Sequence, residues 1–209
     1  MLGFWFMVFA ALFSVVNPFG TLPVFISITQ YDSKQERNRT AFRASLFMII
    51  ILVVFFLVGT YIMNFFGISI ASLKITGGII IGSSGFALLT GNFSKHKGMN
   101  KKVEADAIAK DDSSISPLAI PMLAGPGAIS LLISYSKEYP SWEYYLLITS
   151  TILVTGFLTY LILRSAQVIN KRLGATGLSS LSRLIGFIVI AIGVEYIISA
   201  VFMIADQLA

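Results

Sequence analysis

Long apolar runs alternate along this chain with shorter segments that hold most of its charges. The first run, residues 2–28, has no acidic or basic side chain at all. Five more follow at 42–63, 68–90, 115–135, 144–163 and 181–203. A bilayer core of about 30 Å is spanned by about 20 apolar residues in a helix. Barrel strands would be about half as long and would alternate polar with apolar positions, which these runs do not. The pattern predicts an all-α membrane protein with six transmembrane helices. The first run lacks a preceding basic segment and a following small-residue cleavage pattern, so it is expected to remain as a span.

Inside that first run the sequence "SVVNPFGTLPVF" (14–25) places an asparagine, two prolines and a glycine where a helix is hardest to interrupt. Proline removes a backbone donor and disfavours a helical residue before it, but suits the first position of a new helix after an Asn or Gly cap. Asn17-Pro18 therefore predicts the end of one half-helix and the start of another. The fourth run repeats the device in "SPLAIPMLAGPGAIS", with Gly125-Pro126 lying 108 residues after Asn17-Pro18. At the same offset Ser72, Leu73, Gly78, Ile80 and Gly85 match Ser180, Leu181, Gly186, Ile188 and Gly193, although a slide by one residue matches Lys74 to Arg183. Two halves of three helices each must cross the membrane in opposite senses. The expected organisation is one membrane domain: a first repeat over 1–91, a charged cytoplasmic loop over 92–113 and a second repeat over 114–209, with helices 1 and 4 discontinuous. Secondary transporters built from inverted repeats place their sites near the midplane, between such broken helices.

Composition changes the picture little. The chain is 56% hydrophobic and 12% charged with a mean hydropathy of +0.84, about half the charge of an ordinary soluble domain. Charge distribution adds the orientation. Thirteen basic residues follow the first, third and fifth runs or begin the sixth, against only Lys74 and Lys137 on the other side. Basic loops stay in the cytoplasm, so both termini are predicted outside, in the cell's inner (plasma) membrane. The net charge of +5 is thereby a topology signal and no sign of nucleic-acid binding.

The half-helices after Pro18 and Pro126 are expected to meet N-terminus to N-terminus near the midplane, each offering free N–H groups and about half a positive charge. A carboxylate suits those ends, and the carbonyls closing the preceding half-helices suit an ammonium group. Gly20, Gly125 and Gly127 let a ligand approach the backbone, while Asn17, Thr21 and Ser130 add side-chain donors and acceptors. Pro23, Pro117 and Pro121 are expected to be kinks or helix starts. Gly77, Gly78, Gly82 and Gly85 form a stripe containing a GxxxG, which packs helices closely within a chain or between copies, so a homo-oligomer is open. Glu195 lies inside the sixth run, where a charged carboxylate costs roughly 2.5–3.5 kcal/mol, and is the candidate for binding a coupling proton. Lys74 and Arg183 begin corresponding helices as gates or interfacial anchors. No cysteine is present, the only histidine is His96 in a charged loop, and no paired carboxylates or metal-ligand set stands within a span. An enzyme, a metal site and an organic cofactor are not expected.

"NPFGTLPVF", "KITGGIII", "PLAIPMLAGPGAIS" and "SRLIGFIVIAIG" together resemble the MarC family, also described as the neutral amino-acid transporter family, over essentially the whole chain. That resemblance implies a secondary transporter of small neutral amino acids such as glycine, alanine or serine. Its substrate would be held at Asn17, Pro18, Gly20, Thr21, Gly125, Pro126, Gly127 and Ala128, with Phe19 and Ser130 adjoining. The residues alone give a small zwitterion or anion. A channel or a transporter for another small anion is the alternative, and the expected coupling ion is a proton rather than sodium.

Overall fold

The computed structural model describes residues 1–91 and 123–208, and all regular structure among them is helical. The elements are α1 (Leu2–Val16), α2 (Pro18–Ile28), α3 (Lys34–Phe65), α4 (Ile70–Thr90), α5 (Pro126–Glu138), α6 (Trp142–Arg164) and α7 (Ala166–Leu208). Five stretches among the described residues are long and apolar enough to cross a membrane: Leu2–Ile28, Lys34–Phe65, Ile70–Thr90, Trp142–Arg164 and Thr176–Asp206. Of the run expected at 115–135, only the part from residue 123 is described, and its helix runs on to Glu138. Pro117, Pro121, His96 and the loop at 92–113 lie outside the described residues.

Local chemistry explains the helix ends. Ser33 and Glu36 form a reciprocal capping box at the start of α3, with bonds of 2.8 and 3.3 Å. Ser69 accepts from the Ser72 N–H at the start of α4. Gly91 ends α4 in the left-handed region (φ 78°), which glycine enters without penalty. Within α7, Gly174 (φ 64°, ψ 178°) separates an eight-residue basic segment from the long apolar helix, so the sixth run is preceded by about two helical turns the sequence did not announce.

Packing follows the small residues. α1, α2 and α5 occupy the middle, between an α3–α6 pair and an α4–α7 pair. Phe25, Phe56, Leu12, Leu22 and Met48 are among the largest side chains fully inside. Outward faces of α3, α6 and α7 expose Phe65, Phe157, Phe187, Val201 and Phe202, an apolar surface far larger than a water-soluble monomer tolerates.

The α4–α7 seam sets glycine backbone against glycine backbone. A β-carbon placed on Gly78 would lie 2.5 Å from the Gly193 carbonyl oxygen, and one on Gly193 would lie 2.6 Å from that of Gly78. Gly85 and Gly186 meet in the same way, at 2.7 and 2.8 Å. The GxxxG at Gly78 and Gly82 is therefore spent on a helix of the same chain.

Candidate functional site

The first break is built by Asn17. It closes α1, with its N–H donating to the Phe13 carbonyl, and opens α2, with its side-chain Oδ1 accepting from the Gly20 N–H at 3.1 Å. To do both it adopts φ 48°, ψ 69°, and it is the one non-glycine residue with positive φ among the described residues. Asparagine tolerates that region better than other chiral residues. Pro18 then occupies the first position of α2, where a missing N–H costs nothing. Pro23 falls inside α2 without ending it.

Asn17 is 2% exposed, and its amide Nδ2 has no hydrogen-bond partner among the described residues. A buried donor left unpaired costs about 1–3 kcal/mol, so the group is either stored strain or a waiting contact. Gly20 makes room for it, since a β-carbon there would collide with the Asn17 amide. Thr21, fully buried, donates its hydroxyl to the Pro18 carbonyl at 2.7 Å. It stiffens the first turn and keeps only lone pairs to offer. Phe19 is half-buried, its ring edge-on to Phe13.

The second break has the same proline and a different cap. Gly125 begins α5 in an extended conformation (φ −69°, ψ 165°) with no side-chain cap, and Pro126 follows at the first helical position. The Gly125 carbonyl accepts from the Ile129 N–H, so those of Gly127 and Ala128 have no acceptor within the helix. Gly125, Gly127, Ala128 and Ser130 are buried, whereas Pro126 is exposed. Ser130 donates to the Leu73 carbonyl of α4 at 3.2 Å, against Gly77, where a β-carbon would strike its hydroxyl.

The described contacts bring the two breaks together. A β-carbon on Gly127 would lie 3.4 Å from Val15, just before the first break, and 2.9 Å from Ile81 of α4. One on Gly20 would lie 3.0 Å from Leu88, two turns further along α4. From that level α5 runs back along α4 past Leu73 to Lys74, beside the start of α1, where Phe4 packs on Tyr135 and Tyr139. α2 continues in the direction of α1 instead. The helices thus leave one level in opposite directions with their N-terminal ends inward, which is the arrangement that concentrates free N–H groups and positive helix-dipole ends.

The remaining candidates divide. Lys74 is buried and ion-paired, 2.5 Å from Glu138 at the end of α5. Arg183, its expected counterpart, is exposed. Glu195 is exposed on the outer face of α7, beside the exposed Val194 and Ile198, while its neighbour Tyr196 points inward and is 8% exposed. It is not among the residues the breaks gather. Glu138 is the functional-looking group that sequence reasoning passed over. Its signal was Lys74 itself, because an ammonium inside a span needs an acidic partner.

Compared with known proteins, the profile of the MarC family integral membrane proteins matches residues 2–205. The chain is 36% identical over 189 residues to a UPF0056 membrane protein of Buchnera aphidicola, covering 90% of this chain and 87% of that one. It is 34% identical over 197 residues to the UPF0056 membrane protein YhcE of Escherichia coli, with 94% and 91% covered. The UPF0056 inner membrane protein MarC of Salmonella paratyphi A is 32% identical over 199 residues, with 91% and 90% covered. No solved structure matches.

Proposed function

This chain belongs to the MarC family of integral membrane proteins, and we propose that it is a secondary transporter of small neutral amino acids such as glycine, alanine and serine. The Asn17 amide, buried at one break and without a hydrogen-bond partner among the described residues, carries this proposal. A carboxylate placed there takes hydrogen bonds from Asn17 Nδ2 and from the Gly127 and Ala128 N–H groups. The ammonium group faces the carbonyls that close α1. Gly20 and Gly127 leave no room for a large side chain, since Leu88 and Ile81 already stand against them.

Alternating access is the proposed mechanism, with one inverted repeat moving against the other. Support comes from the glycine seam. Gly78 meets Gly193 while Gly85 meets Gly186, and Gly78 corresponds to Gly186 as Gly85 does to Gly193 at an offset of 108. Reciprocal contacts of this kind are what a two-fold relation produces at an interface, and they favour that register over the one-residue slide. We further place both termini outside and the basic loops in the cytoplasm on charge grounds, in the inner membrane that the Salmonella relative's name specifies. Cotransport of a proton completes the proposal.

Counterflow tests it. Vesicles loaded with unlabelled alanine should transiently concentrate labelled alanine from outside. Equilibration with no overshoot would instead favour the anion-channel alternative, which opposed helix N-termini also suit.

A further inference from the structure

Beside the candidate site, towards the face that carries Tyr139, lies a buried ion pair that this transport scheme has not used. Lys74 Nζ and Glu138 Oε1 are 2.5 Å apart, with side chains 7% and 16% exposed. The ammonium also donates to Ser199 of α7 at 2.9 Å and sits 5.6 Å from the Tyr196 ring centroid. Ser134, one turn earlier on α5, donates to the carboxylate at 3.1 Å. The other titratable groups facing Glu138 are Tyr135 on its own helix, Tyr139 just beyond it and Tyr196 from α7. Phe4 of α1 closes the cluster against Tyr135 and Tyr139.

The position matters as much as the chemistry. Lys74 follows Leu73, whose carbonyl holds Ser130, and Glu138 lies two turns beyond Ser130 on α5. A path from the Tyr139 face to Ser130 along the α4–α5 seam has to part this pair. Parting two charges in a low-dielectric seam leaves both uncompensated, which is far costlier than the pair is stabilising. Neutralising the carboxylate first removes that penalty, because Lys74 keeps Ser199 and the Tyr196 face as partners. We propose that Glu138 binds the coupling proton and that its pair with Lys74 is a latch, released when the carboxylate is protonated. This rests on the alternating-access scheme above. The open state, in which Glu138 has lost its cation, holds the proton more tightly, so acid favours opening and closure expels the proton.

The chain has no cysteine, so Ser130→Cys supplies a single thiol on the seam. A membrane-impermeant maleimide is added at the Tyr139 face between about pH 5 and pH 8. Rates are normalised to those of Ser141→Cys, an exposed position on that face, which removes the reagent's own pH dependence. Normalised labelling should rise towards the acid end by up to about tenfold per pH unit, the limit for a latch governed by one proton. Adding Lys74→Gln and Glu138→Gln together, which leaves no unpaired charge, should make labelling fast and independent of pH. The exchanged pair, Lys74→Glu with Glu138→Lys, should restore protection at the alkaline end and serves as the folded control. Protection of the double glutamine variant equal to that of Ser130→Cys alone would overturn the latch. A flat pH profile in Ser130→Cys alone would overturn the proton. Labelling needs no substrate, so failure of amino-acid uptake alongside pH-dependent labelling would retire the substrate and leave the latch standing.

Discussion

The two breaks share a proline at the same offset and differ in the residue before it. Asn17 satisfies the Gly20 N–H of its first turn with its own side chain and still holds a buried amide unpaired among the described residues. Gly125 caps nothing, and leaves the Gly127 and Ala128 N–H groups without intrahelical acceptors. Under the proposed function, one break would therefore hold the ligand through a side chain and the other through backbone alone. An asparagine can be replaced at the cost of one contact, whereas a backbone donor is lost only when something covers it.

Gly127→Val should therefore have the largest effect. Its β-carbon would lie 2.9 Å from Ile81, and the added methyls would cover the free N–H groups. Counterflow should fall more than about 100-fold, as expected for losing charge-assisted bonds together with the space for the ligand. Asn17 comes next. Asn17→Asp keeps the cap acceptor but puts negative charge where the amide stood, so affinity for glycine should fall by about tenfold to 100-fold. Asn17→Gly keeps the left-handed backbone, loses only the side chain and should fall by about tenfold. Equal losses for the two Asn17 variants, measured by equilibrium binding, would mean that the amide touches no carboxylate.

The glycine seam sharpens the symmetry behind the comparison. Gly78→Ala and Gly186→Ala, corresponding positions facing backbone at 2.5 and 2.8 Å, should destabilise the protein by similar amounts, about 1–3 kcal/mol each. Markedly unequal shifts in thermal melting would break the two-fold relation. The smallest effect is expected at Glu195. It is exposed on α7, and Glu195→Gln should leave the pH profile of uptake within about twofold of the parent. A displaced profile would return the coupling role to that residue.

Much of this was legible because membrane helices announce themselves by length and breaks by proline. The Asn17–Pro18 boundary and the close packing of the Gly78 stripe follow from residue type. The partner of Lys74 did not. "SKEYP" at 136–140 reads as a polar loop, yet α5 continues through it and presents Glu138 inward. Glu195 shows a different limit. Hydropathy counts a residue as inside a span without saying which side of the helix it takes, and here Tyr196 has the inward place. Thr21 and Ser130 were expected to supply donors and acceptors; both are buried, and their hydroxyl hydrogens are engaged by the Pro18 and Leu73 carbonyls, a detail of rotamer and neighbour that composition does not carry.

The most direct test is uptake of radiolabelled glycine and alanine into proteoliposomes, with and without an inward proton gradient. Accumulation above the external concentration when the gradient is present, and simple equilibration when it is absent, is the predicted result. No movement of either amino acid under a proton or a sodium gradient, in protein shown to be folded, would contradict the amino-acid assignment.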